Sequence, residues 1–191
     1  MRIKYNAPTT LTFTFISAMV LILSLTLFQG LTGTWFAAPG RGSFNAGDIR
    51  CWITLFTHVL GHANLDHFLA NFSFILLLGP ILEANYGSRA LFLMILITAL
   101  VTGVLNVLFF PTGLLGASGV VFMMILLASF TNFSKGEIPL TFILILALYL
   151  GREIIDSFSS DDISQFAHIA GGFCGSLFGF FRPGKRVKLI E

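Results

Sequence analysis

The sequence predicts an all-α membrane protein, a compact bundle of six transmembrane helices with an interfacial first loop. Hydrophobic residues make up 55% of the 191 residues, charged residues only 10%, and the mean hydropathy is +0.89. These values lie far outside the usual balance of a soluble domain. No polar segment is large enough to fold alone in water, so we expect residues 1–191 to form a single domain.

Six apolar stretches approach the ~20 residues that a helix needs to cross a hydrocarbon core of about 30 Å. The predicted spans are residues 11–31, 63–82, 90–110, 116–131, 138–155 and 165–182. The last three are short or interrupted. The first follows two basic residues, as a secretory signal does, but its apolar run is too long for a typical signal peptide. We therefore interpret it as an uncleaved anchor.

Basic residues predict the orientation, because cytoplasmic loops of membrane proteins are richer in Lys and Arg. An even number of spans puts both termini on one side, which carries Arg2, Lys4, Arg89, Lys135, Arg182, Lys185, Arg186 and Lys188. The opposite side carries only Arg41, Arg50 and Arg152. We expect both termini in the cytoplasm, and we attribute the net charge of +2 to topology and lipid-headgroup contact rather than to nucleic-acid binding.

Two connections between the predicted spans stand out by composition. Residues 32–57 mix glycine with aromatic and aliphatic residues, and the aromatic side chains expected at headgroup depth are Trp35, Phe36, Phe44 and Trp52. Residues 157–165, "SFSSDDISQ", are the most polar connection on the outer side. This segment is either a mobile cover or an ordinary solvated loop.

All four histidines lie in or beside predicted spans, where ionisable side chains are costly and often functional. His67 and Asn71 are four residues apart and share a helix face, with Asn64 three residues before His67 on nearly the same face. The second span therefore carries a polar stripe near its start.

A metal site is one alternative for these histidines, because His58 and His62 have the i, i+4 spacing of helical zinc ligands. The sequence has no H-E-x-x-H motif and no Cys/His cluster, and Cys51 and Cys174 are too differently placed to predict a disulfide. Hydrogen bonds from His58 and His62 that hold the first loop to the second span are favoured over zinc.

The sixth span, "FAHIAGGFCGSLFG", places His168 before a series of glycines. Gly171, Gly175 and Gly179 form small-x-x-x-small pairs, which let a second helix approach closely. A groove for helix packing explains the glycines. It does not explain why the ionisable side chain of His168 lies just before them.

A second glycine-rich stretch, "GLLGASGVVF", opens the fourth span at residues 113–122. Gly116 and Gly119 flank Ser118 and leave little side-chain bulk around its hydroxyl. A histidine across a glycine-lined contact can reach Oγ at the ~2.6–3.2 Å that an activated serine requires. By itself this motif is weak, since a serine in a membrane helix usually bonds back to a carbonyl.

Together these segments resemble the rhomboid family of intramembrane serine proteases, in particular the bacterial GlpG type. "HVLGHANLDHFLANF" in the second span, "GASG" at the head of the fourth and "AHIAGGFCG" in the sixth carry the match in order and spacing. The six-span core covers nearly the whole chain. Glu83, Gly87 and Arg89 resemble the family's structural turn after the second span.

The resemblance implies peptide hydrolysis by a Ser/His dyad without an aspartate or a cofactor. Ser118 corresponds to the nucleophile, His168 to the general base and then acid, and His67 and Asn71 to side chains around the oxyanion. Implied partners are transmembrane protein substrates and the lipid bilayer of the bacterial inner membrane. Cleavage is expected near the outer, periplasmic end of the substrate segment, at small or helix-breaking residues. No oligomeric state is indicated.

The sequence departs from the family pattern in two places, one beside the catalytic histidine and one in the first loop, where the departure concerns loop packing and leaves the dyad untouched. Phe122 stands where many relatives have a tyrosine against the catalytic histidine, so stacking can survive while the hydroxyl is lost. The family's Trp-Arg pair in the first loop is displaced to Arg50 and Trp52.

Two rival functions follow from other readings of the same residues. A non-catalytic relative that binds client transmembrane helices is the leading alternative. A transporter fits less well, because six short spans lack an inverted repeat.

Overall fold

The computed structural model describes residues 4–130, 140, 143, 144, 147, 148 and 162–181. Within these residues the chain is helical, apart from loops and one isolated bridge between Ala38 and Leu114. The helices are α1 (Pro8–Thr26), α2 (Leu31–Trp35), α3 (Ile49–Thr57), α4 (Leu65–Tyr86), α5 (Ser88–Phe109), α6 (Ser118–Ser129) and α7 (Asp162–Phe181), with a 3-10 turn over His58–Leu60.

The predicted helical membrane bundle is confirmed. Helices α1, α4 and α5 are long and apolar enough to cross a membrane, and α6 and α7 are shorter apolar helices. The predicted fifth span, residues 138–155, and the first part of the predicted cover, residues 157–161, lie largely outside the described residues. Residues 162–165 belong to α7 rather than to a loop.

The bundle has two ends, which we call the turn end and the loop end. At the turn end α4 passes directly into α5 through Gly87, whose φ of +85° favours glycine. The loop end carries the first loop, the connection between α5 and α6, and the first residues of α4 and α6. The sequence-predicted site residues near the start of α4 and α6 therefore lie at the loop end.

The carboxylate of Glu83, near the end of α4, caps the start of helix α1. One carboxylate oxygen accepts the N–H of Thr9 at 2.8 Å, and the other accepts the N–H and hydroxyl of Thr10 at 3.1 and 2.9 Å. The residue before the helix is Ala7, which has no capping side chain. Glu83 therefore supplies from another helix the acceptors that the first turn of α1 needs.

Helices α6 and α7 run parallel in close backbone contact. A Cβ on Gly171 would overlap the carbonyl oxygen of Gly119, and a Cβ on Gly175 would overlap that of Met123. Further along both helices, Gly179 faces the side chain of Phe130 in the same way. As the small-residue spacing predicts, only glycine permits this approach.

The first loop is more ordered than its composition indicates, because it contains α2 and α3. Asp48 caps α3 by accepting the N–H of Arg50 at 2.9 Å, and the indole of Trp52 donates to the carbonyl of Ala46 at 3.1 Å. Helix α3 lies directly on α5, since a Cβ on Gly103 would lie 2.7 Å from the carbonyl oxygen of Leu55. The first loop is thus a packed part of the loop end.

Replacing Glu83 with Ala should lower the stability of the bundle. The variant leaves the half-buried N–H of Thr9 and the buried N–H and hydroxyl of Thr10 without their carboxylate acceptors, at a cost of about 1–3 kcal/mol. Thermal unfolding in detergent measures the change. Asp66→Ala is the control, since Asp66 is an exposed carboxylate in the first turn of α4 and its loss should cost less than about 1 kcal/mol. Equal losses would contradict the capping role of Glu83.

Candidate functional site

Ser118 is the first residue of α6 and lies half-buried at the loop end. The chain enters the helix through Gly116, whose backbone has a φ of +113° that residues with a Cβ rarely adopt. The first N–H groups of a helix have no partners within it, and they carry the positive end of the helix dipole. The hydroxyl of Ser118 therefore lies beside backbone donors that can stabilise negative charge.

Backbone hydrogen bonds from the first loop hold the segment that precedes Ser118. Ala38 and Leu114 exchange two bonds, with N···O distances of 2.8 and 3.0 Å. Gly116 donates its N–H to the carbonyl of His58 at 2.9 Å. The position of Ser118 thus depends on the first loop, although the two segments are far apart in the sequence.

Asn106, near the end of α5, joins the same two segments through its side chain. Its amide nitrogen donates to the carbonyls of Pro39 and Thr112 at 3.1 and 3.0 Å, and the residue is 2% exposed. Sequence analysis did not single it out. The feature that could have identified Asn106 is its polar amide inside an otherwise apolar span, which indicates a specific polar contact.

His67 and Asn71 meet at the backbone of Gly116. A Cβ on Gly116 would lie 2.7 Å from both Cε1 and Nε2 of His67 and 3.8 Å from Nδ2 of Asn71. Asn64 starts α4 by accepting the N–H of His67 at 2.8 Å, which fixes where the stripe begins. The structure thus brings both predicted donors of α4 to the segment that carries Ser118, and it explains why residue 116 is glycine.

His58 and His62 make hydrogen bonds to different helices. His58 is 1% exposed, and its Nε2 donates to the carbonyl of Ala99 in α5 at 3.0 Å. His62 is equally buried and bonds through Nε2 to the amide of Asn71 in α4 at 3.2 Å. Burial lowers the pKa of both histidines to about 4, so they are neutral near pH 7. His62 therefore contacts the second predicted span as expected, whereas His58 binds the third.

His168 lies against the first turns of α6. Its ring is stacked on the ring of Phe122, with centroids 4.1 Å apart and planes 5° from parallel. The carbonyl oxygen of Ala167, the preceding residue, would lie 3.2 Å from a Cβ on Gly119. Ser118 precedes Phe122 by one turn on the same helix face, so the structure brings His168 to the part of α6 that carries the serine.

The described residues therefore gather three separate parts of the chain around the start of α6. The half-buried groups are Ser118, His67 and His168, and Asn71 beside them is 6% exposed. Within the part of the chain that the structure describes, no three His, Cys, Asp or Glu side chains are arranged to hold a metal ion. The chemistry available here is that of a hydroxyl, imidazoles and amide donors.

Comparison with known proteins identifies the family of the chain. The Rhomboid domain family model matches residues 50–184, from the first loop through α7. The chain belongs to the rhomboid family.

Two relatives differ in how much of their length this rhomboid chain spans. It is 23% identical over 152 residues to the rhomboid protease GlpG of Haemophilus influenzae, covering 78% of this chain and 79% of that protein. It is 32% identical over 134 residues to RHOMBOID-like protein 1 of Arabidopsis thaliana, covering 66% of this chain and 33% of that protein. The chain thus spans about a third of the Arabidopsis protein.

The structure accounts for both departures from the family pattern. The phenyl ring of Phe122 retains the stack on His168. In the first loop of this rhomboid domain, Arg50 pairs with Asp48 at 2.6 Å, and the ring of Trp52 packs edge-on against Phe44 with centroids 5.1 Å apart. The displaced Arg and Trp therefore stabilise the start of α3.

Gly171→Ala should destabilise the protein, whereas Gly172→Ala should not. The added methyl at residue 171 overlaps the backbone of Gly119, and such overpacking costs about 1–3 kcal/mol. The neighbouring methyl at residue 172 would make ordinary contact with Leu126 at 3.6 Å. Thermal unfolding of the two variants in detergent measures the difference. Similar unfolding temperatures would refute close packing of α6 and α7 at Gly171.

Proposed function

We propose that the protein is an intramembrane serine endopeptidase that cleaves transmembrane segments of membrane proteins near their outer, periplasmic ends. Ser118 and His168 are its catalytic dyad. The observation that carries the proposal is the stack of His168 on Phe122, one helical turn from Ser118, at a site where His67 and Asn71 also converge. Similarity to a relative named as a rhomboid protease supports the same activity.

The dyad acts in two steps. Ser118 Oγ attacks the carbonyl carbon of the scissile peptide bond while His168 takes the hydroxyl proton. The protonated ring then gives that proton to the leaving amine, the C–N bond breaks, and an acyl ester remains on Ser118. A water molecule, deprotonated by His168, attacks the ester, and the proton returns to Ser118 as the acid product leaves.

The negative oxygen of each tetrahedral intermediate needs donors, because water is scarce at this depth. His67 Nε2 and Asn71 Nδ2 lie together at Gly116, and the first N–H groups of α6 are beside them. These groups form the oxyanion site of the proposed mechanism. Their positions are fixed before substrate binds, so they stabilise the charge without reorganising.

Hydrolysis requires water and an unwound substrate. Ser118, His67 and His168 are half-buried at the loop end, and we assign this end to the outer side of the bacterial inner membrane. The turn end, with Arg89 and the N-terminal Lys4, then faces the cytoplasm together with both termini. Substrate segments with small or helix-breaking residues near their outer ends expose carbonyls most easily. The whole chain works as one domain and needs no cofactor.

Substitutions at the four residues should separate their roles. Ser118→Ala and His168→Ala should abolish cleavage of a panel of single-span substrates in proteoliposomes, with products located by mass spectrometry. His67→Ala and Asn71→Ala should each lower kcat by about a hundredfold to a thousandfold, the usual effect of losing one oxyanion donor. Ser129→Ala is the control, since its hydroxyl donates to the carbonyl of Ile125 further along α6.

A fluorophosphonate probe tests the nucleophile without a substrate. The protein should be labelled on Ser118, and both Ser118→Ala and His168→Ala should lose the label while Ser129→Ala keeps it. Folded protein that neither cleaves nor is labelled, but that binds transmembrane segments, would instead be the non-catalytic alternative. Cleavage by the Ser118→Ala variant would refute the proposed nucleophile.

Phe122 should act by holding the ring of His168. Phe122→Ala removes a stacking contact worth about 0.5–1.5 kcal/mol, so we expect kcat to fall by roughly twofold to tenfold. Phe122→Tyr keeps the aromatic face and should retain nearly full activity. Steady-state kinetics with one substrate compares the two variants. Equal losses in both would mean that stacking on His168 is not what residue 122 contributes.

A further inference from the structure

His62 lies behind the proposed oxyanion site, where it hydrogen-bonds to Asn71 and packs edge-on against the ring of His67. The residue is 1% exposed, in the short connection between the 3-10 turn and α4. Asn71 Nδ2 donates to His62 Nε2 at 3.2 Å. The two residues are nine positions apart and the chain bends between them, so helical spacing does not predict this pair.

The second ring nitrogen of His62 determines which hydrogen-bonding role Nε2 has. Nδ1 lies 3.4 Å from the carbonyl oxygen of Leu60, and a carbonyl only accepts, so Nδ1 carries the hydrogen. In the neutral ring Nε2 is then an acceptor. Three rings pack around the imidazole with centroids 5.0–5.5 Å away, those of His67, Phe68 and Phe72. The acceptor is therefore held toward Asn71.

An acceptor at this place controls which end of the Asn71 amide faces Gly116. The NH2 group has two hydrogens, and donation of one to His62 leaves the other available. Nδ2 lies 3.8 Å from the position that a Cβ on Gly116 would occupy. If the amide turned over, its oxygen would face the same point and repel a developing oxyanion instead of stabilising it.

We propose that His62 is a positioning residue that keeps the NH2 group of Asn71, rather than its oxygen, directed at the oxyanion. This inference rests on the proposed function, since it assigns a cause to the orientation of one donor in that mechanism. His62 touches neither substrate nor Ser118 in this scheme. Its effect on catalysis passes through Asn71.

Two replacements of His62 separate hydrogen bonding from packing. His62→Phe keeps a ring against Phe68 and Phe72 but has no acceptor. His62→Gln loses the ring but offers a side-chain oxygen to the Asn71 amide. If orientation is the role, His62→Phe should lower kcat about tenfold or more, bounded by the hundredfold to thousandfold cost of losing the donor itself. His62→Gln should retain more activity than His62→Phe, and KM should change little in either variant.

A double-mutant cycle with Asn71→Ala shows whether the effect passes through Asn71. In the Asn71→Ala background, His62→Phe should cost less than about twofold in kcat, because the group that it orients is already absent. His58→Phe is the control, since the His58 ring bonds to Ala99 in α5 and its cost should be the same in both backgrounds. Thermal unfolding in detergent verifies that each variant is folded.

Three outcomes would overturn the proposal. These are equal costs of His62→Phe with and without Asn71, a full-activity His62→Phe variant, or a His62→Gln variant that is less active than His62→Phe. If either substitution prevents folding, the other is compared in the same cycle, where additive costs again exclude coupling to Asn71. Cleavage by wild-type protein that persists in Ser118→Ala would instead refute the proposed function.

Discussion

The close contact between α6 and α7 is the constraint on which the candidate site depends. At Gly171 and Gly175 the two backbones approach so closely that a single Cβ would overlap a carbonyl oxygen of α6. In a membrane there is no hydrophobic drive between helices, so association relies on such close packing. This contact sets the register of the two helices, and the register places His168 on Phe122, one turn from Ser118.

The loop end supplies a second, independent constraint on the same serine. Asn106, the Ala38–Leu114 bridge and the carbonyl of His58 all fix the segment that leads into α6. Each of these contacts satisfies backbone groups that would be costly to leave unpaired at membrane depth. The first loop therefore contributes to the geometry of the site, although none of its side chains takes part in the proposed chemistry.

Much of the fold follows from the sequence, because the length of an apolar run determines whether a helix can cross a bilayer. Helix ends were predicted less well. The first span was expected at residues 11–31 but forms Pro8–Thr26, because Glu83 caps its start from α4 and apolar residues continue past its end. Such long-range contacts leave no local pattern. The hydrogen bond between His62 and Asn71 cannot be predicted from the sequence for the same reason.

Motif spacing and the family resemblance predict the candidate site residues, whereas the contacts that support them are evident only in the three-dimensional structure. Glycine spacing predicted a close helix pair, but it could not say that residue 116 faces His67. The aromatic residues of the first loop are evident from its composition. Its helix α3 is not among the predicted elements, although Asp48, a favourable capping residue, lies just before it. Local chemistry was thus available in the sequence, and the spatial partners were not.

An experimental structure of the protein after reaction with a fluorophosphonate tests the central claim most directly. We expect a phosphorus atom bonded to Ser118 Oγ, with its free oxygen about 2.7–3.1 Å from His67 Nε2 and Asn71 Nδ2. His168 should lie on the opposite side of the adduct, still stacked on Phe122. An adduct on another residue, or an oxygen directed away from both donors, would contradict it.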